Sequence, residues 1–152
     1  MKKLVLIAAP VMAIALMAGC KSPSEVFVED LEGTWLASQA RYSGLENAKN
    51  NNYDLIENGF TAVFISDGSG DFAIRLDDPE GESEFVSGTL EIDGTNVLVT
   101  TTDGGGDGEI FLEGEQVAFS LTGGIEFDFN GDGRETEARL LLVMDRVADV
   151  PN

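Results

Sequence analysis

Six consecutive residues carry the most specific chemistry in the chain: Asp128-Phe129-Asn130-Gly131-Asp132-Gly133. Oxygen-bearing side chains stand at the first, third and fifth positions, and a glycine stands sixth. That order is the first half of a calcium-binding loop, because the glycine permits the sharp turn that folds three oxygens onto one hard cation. The carbonyl of Arg134 follows as a fourth donor. At the twelfth position, where a helix–loop–helix calcium site has a bidentate Glu, this chain has Arg139. Glu137 or Glu135 would then have to close the shell. The expectation is a weakly held Ca2+ on Asp128, Asn130, Asp132, Arg134 and Glu137. The alternative is a plain polar turn, since Asn-Gly and Asp-Gly are turn dipeptides in their own right.

Charge and composition exclude more than they assign. The chain has 28 Asp and Glu against 9 Lys and Arg, a net charge of −19. Nucleic-acid binding by phosphate neutralisation needs clustered Lys and Arg, so that class falls away. The sequence has no histidine, which removes the usual general base and the commonest transition-metal ligand. The single cysteine, Cys20, lies near the start, so no internal disulfide forms and no Cys–His or Ser–His–Asp set is present. The chain is therefore expected not to be an enzyme. Two further acidic runs, Asp77 to Glu82 and Asp103 to Asp107, read as solubilising loop tips.

The elements that would position these residues follow from period-two alternation broken by Gly and Asp turns. Eight strands are expected, over 33–42, 59–65, 71–76, 84–92, 96–102, 109–112, 116–127 and 137–147. Asp93-Gly94 and Glu113-Gly114-Glu115 read as tight hairpins. Eight meandering antiparallel strands close an up-and-down barrel, and closure removes exposed edges. The alternative is a two-sheet β-sandwich. The longer loops, 43–58, 77–83, 103–108 and 128–136, all fall at one end, which suits an open-mouthed cup. With Trp35 inward, Ala37, Gln39 and Arg41 follow on its face. Phe72, Ile74 and Leu76, with Val117, Phe119 and Leu121, complete an apolar interior. Such an interior suits a small apolar or amphipathic ligand on Gln39, Arg41, Phe72, Ile74 and Phe119, with Arg41 at the mouth meeting an anionic head. A core filled by its own side chains is the alternative.

The first residues have the order of a secretory signal: Lys2 and Lys3, an apolar run from Leu4 to Leu16, then Met17-Ala18-Gly19. The stretch Leu16-Met17-Ala18-Gly19-Cys20 resembles the lipobox of bacterial lipoproteins. The resemblance implies cleavage before Cys20 and acylation of its thiol. It thereby implies a membrane anchor held by acyl chains, each buried methylene contributing about 0.8 kcal/mol. It implies a cell-envelope protein, and Lys21 after the cysteine points to the outer membrane. The expected organisation is a leader over 1–19, a lipidated cysteine and tether over 20–30, a barrel over 31–147 and a tail over 148–152.

Gly33-Thr34-Trp35 at the start of the first strand resembles the Gly-x-Trp of the lipocalin-like (calycin) barrels. That resemblance implies a late arginine laid over the tryptophan at the closed end, and Arg146 has the matching place. It also implies a small apolar ligand, or a partner of unspecified identity, at the barrel mouth. The competing expectation is a structural or surface-interaction lipoprotein with a filled core and a calcium-stabilised acidic rim.

Overall fold

Strand β1, Gly33–Gly44, is the seam of the structure, because it carries partners on both edges. A computed structural model of the chain describes residues 25–47 and 49–148, so Cys20 and the leader lie outside the described residues. Nine more strands follow β1: β2 (Asn52–Asp54), β3 (Thr61–Ser66), β4 (Asp71–Asp77), β5 (Ser83–Asp93), β6 (Asn96–Thr101), β7 (Gly104–Glu113), β8 (Gln116–Gly123), β9 (Glu126–Phe127) and β10 (Thr136–Val147). Each long strand pairs antiparallel with the next, and β10 returns to pair with β1 from Thr34↔Val147 to Gly44↔Ala138. The result is a closed eight-stranded up-and-down barrel with two short extra strands, and no sandwich.

One end of the barrel is sealed. A 3-10 turn at Val28–Leu31 precedes β1, and Val26 and Leu31 are buried with Trp35 in the core. The amide of Val26 donates to the Gly94 carbonyl at 3.2 Å, which ties the incoming chain to the β5–β6 hairpin. Residues 26–30, expected in the tether, thus belong with Leu31 to the barrel base. The reason is local: Val26 and Leu31 supply apolar plugs, while Glu29 and Asp30 between them stay exposed.

The indole of Trp35 is fully buried, and its Nε1 donates to the Leu31 carbonyl at 2.9 Å. The Arg146 guanidinium lies 4.2 Å from the ring centroid. It also donates to the carbonyls of Glu32 and Asp30, and its Nε sits 2.8 Å from the Glu115 carboxylate. One side chain of β10 therefore joins the 3-10 turn, the β7–β8 hairpin and the indole. Gly33 makes this possible: its φ is +124°, and a Cβ there would stand 3.0 Å from an Arg146 nitrogen. Glycine is thus needed both for the backbone angle and for the space.

Three differences from the alternation pattern matter. The run 103–108, expected as a loop, is mostly strand: β7 starts at Gly104, and only Thr102 and Asp103 turn the chain. Backbone pairing needs no side chains, so a Gly-Gly-Gly segment joins β6 without leaving an alternating trace. The strand expected over 116–127 ends at Gly123, and β9 beyond it pairs with β10 instead of β7. The loop expected over 43–58 contains β2, which pairs with the upper part of β1 where β3 does not reach.

Removing the guanidinium should loosen the sealed end. Arg146→Ala is expected to lower unfolding stability by about 1–3 kcal/mol, from the lost cation–π contact and the hydrogen bonds of a charged donor. Urea denaturation followed by Trp35 fluorescence measures it, and an unchanged midpoint would contradict this account of the base.

Candidate functional site

Cross-strand partners share a face of the sheet, so the inward set is read from the buried pairs. On β7 the inward positions run, from the sealed end upward, Leu112, Ile110, Gly108, Gly106 and Gly104. The lower two fill the base, with Ile110 fully buried. The upper three have no side chain at all. Opposite and beside them, Phe64, Phe72, Ile74, Val86, Leu90 and Val99 project inward from β3 to β6. Phe119 and Leu121 of β8 and Leu140 and Leu142 of β10 complete the wall.

A cavity of about 440 Å³ results, in the upper half of the barrel and reaching the end with the longer loops. Its volume lies within the range of roughly 300–1,000 Å³ typical of small-molecule sites. The floor is aromatic: Phe64 stacks on Phe72 at 5.4 Å and tilts against Phe119 at 6.1 Å. At the mouth, Tyr42 lines the cavity and stacks on Phe127 at 4.3 Å, and Phe127 in turn contacts Tyr53 and Phe129. Burial raises the Tyr42 hydroxyl above its ordinary value of 10.0, so this group stays neutral at physiological pH. Four carboxyl side chains also line the opening: Glu84, Asp103, Glu126 and Glu135.

The anticipated ligand residues divide. Phe72, Ile74 and Phe119 line the cavity. Gln39 and Arg41 do not. Between Ala37 and Gln39 the register of β1 against β10 slips: Ala37 faces Met144, yet Gln39 faces Val143. Ser38 is the extra residue of a β-bulge, and every later residue of β1 changes face. Ala40 and Tyr42 thus turn inward, while Gln39 and Arg41 turn out. Arg41 lies instead beside Asp54 at 3.6 Å and Glu57 at 3.7 Å, outside the barrel wall. No anionic head can meet it within the cavity. Asp54 is itself buried and accepts from the amide of Ile56 at 2.9 Å, with longer contacts to those of Ala40 and Glu57, so it organises the turn between β2 and β3.

The loop with the calcium-like spacing closes on itself. Asp128 Oδ1 accepts from the amides of Asn130, Gly131 and Asp132, and Oδ2 from Gly133 at 2.7 Å. Asp132 accepts from the amide of Arg134 at 2.9 Å. Glu137 stands apart at the start of β10, opposite Glu126. Among the described residues no three of Asp, Glu, His and Cys gather as a metal-holding group. The Gly133 amide, followed by those of Asn130, Asp132 and Gly131, holds the Asp128 carboxyl below the ordinary value of 3.8.

No protein-family model matches the chain, and no curated protein matches it either.

The Asp128 turn has a pH signature. A carboxyl lowered on folding contributes stability in full above its unfolded value of 3.8, and loses it as pH falls through the lower folded value. Carbon-detected NMR titration should place the Asp128 midpoint below 3.8. A midpoint at or above the ordinary value would contradict the amide cradle.

Proposed function

We propose that this protein is a lipid-anchored lipoprotein of the cell envelope whose lipocalin-like barrel binds a small apolar or amphipathic molecule. The cavity carries the reading: about 440 Å³, walled by Phe, Ile, Leu and Val, closed at one end and open at the other. Enclosure by apolar walls favours apolar ligands because their surface leaves water. A binding role without catalysis agrees with a sequence that has no histidine and only one cysteine.

The lipobox-like Leu16 to Cys20 supports the anchor. The described chain enters at the sealed end through Val26, so an anchor at Cys20 would leave the mouth facing away from the membrane. The outer membrane is the proposed location, by the lysine at position 21.

Two measurements test these parts separately. Cells fed radiolabelled palmitate should label the wild-type protein and leave Cys20→Ser unlabelled; equal labelling would end the lipoprotein reading. For the cavity, the full chain in phosphatidylcholine nanodiscs is titrated with decanol while the methyl NMR signals of Leu140 and Leu142 are followed. Saturable shifts are expected, and Val86→Trp, which places an indole in the cavity, should weaken the apparent affinity on the order of tenfold. Signals that stay fixed up to the solubility limit of decanol would reject ligand binding.

A further inference from the structure

We infer that the ligand of this cavity is a cationic amphiphile: an apolar tail carrying a protonated or quaternary amine. The inference rests on the ligand-binding reading above and adds the charge of the head group.

The wall and the opening differ in chemistry along the barrel axis. Deep residues are apolar, with Phe64, Phe72 and Phe119 at the floor. Glu84, Asp103, Glu126 and Glu135 come from four separate segments: β5, the β6–β7 turn, β9 and the loop before β10. Register explains one of them. Glu84 pairs with Leu76, whose side chain packs on the core, so Glu84 stands on the inward face at the top of β5. A solubilising acid would instead occupy an outward position, where alternation places polar residues.

The basic residues among those described are Arg41, Lys49, Arg75, Arg134, Arg139 and Arg146, and none lines the cavity. Arg41 is turned outward by the bulge, Arg139 faces Ser43 on the outer side of β10, and Arg146 sits at the sealed end. An apolar tail bearing a carboxylate or phosphate would therefore bring its charge against exposed carboxylates at the opening, a repulsion that salt screens. An ammonium head meets the opposite situation. Tyr42 adds an aromatic ring at the same opening, a surface that attracts ammonium groups.

Three probes of one tail length separate head-group charge from tail burial: decylammonium, decanol and decanoate. Each is titrated at neutral pH into the full chain in phosphatidylcholine nanodiscs, reading the Leu140 and Leu142 methyl signals so that partition into lipid does not count. Decylammonium should bind on the order of tenfold more tightly than decanoate. The advantage should shrink as salt rises. In the quadruple variant Glu84→Gln, Asp103→Asn, Glu126→Gln, Glu135→Gln the preference should vanish while decanol affinity is kept. If decanol binds but decanoate matches decylammonium, the cavity stands and its cation selectivity is wrong. A preference that survives the quadruple variant also overturns the assignment, since it would come from net charge alone. Should none of the three probes bind, the ligand-binding reading itself fails.

Discussion

A sheet whose first strand pairs with its last has no edge, and in this protein that closure is made along the whole of β1. Unpaired edge amides and carbonyls invite pairing with other chains, so sealing them constrains everything else. Here β10 spans one side of β1 completely. The other side is shared between β3 below and β2 above. Because β3 is only six residues long, β2 is needed to finish the seam. The base then has to be stopped against water, and Arg146 does this by holding the 3-10 turn, the Glu115 hairpin and the Trp35 ring at once.

The bulge at Ser38 is the second constraint, and it determines what the mouth looks like. A strict two-residue period from Trp35 would point Arg41 into the cavity. One added residue reverses the upper half of β1, so Tyr42 enters and Arg41 leaves. The same residue count thus exchanges a cation for an aromatic ring at the opening. Combined with inward Glu84, it leaves the cavity lining, among the described residues, without a positive side chain. The electrostatic character of the site follows from a backbone irregularity more than from composition.

Glycines form one wall of the hollow. Gly104, Gly106 and Gly108 occupy three successive inward positions on β7, directly above Ile110. A Cβ on Gly106 would meet the Ile125 side chain at 2.6 Å, so this wall tolerates no thickening without movement of the neighbouring residue. Large residues fill the base and give the cup a solid foot. A barrel of eight strands is narrow enough that such choices decide between a packed core and a cavity.

Much of the fold was legible in the sequence because alternation and turn residues are local signals. The strands 71–76 and 84–92, the Asp93-Gly94 hairpin and the closed eight-strand meander needed only neighbouring residues to declare themselves. The apolar cavity residues Phe72, Ile74 and Phe119 were readable for the same reason. The glycine strand at 104–108 was not, because its pairing uses only the backbone. Nor was the bulge, because a one-residue slip is set by how β1 fits against β10, a hundred residues away. Spacing likewise suggested a tight loop at 128–133, but not that Asp128 would accept amides across it, as it does. Sequence alone therefore determined the eight-strand meander of the barrel and the acidic charge, which depend on residue types and near neighbours. Tertiary structure alone decided which face each side chain took and where empty space remained, because both depend on register between strands distant in the chain.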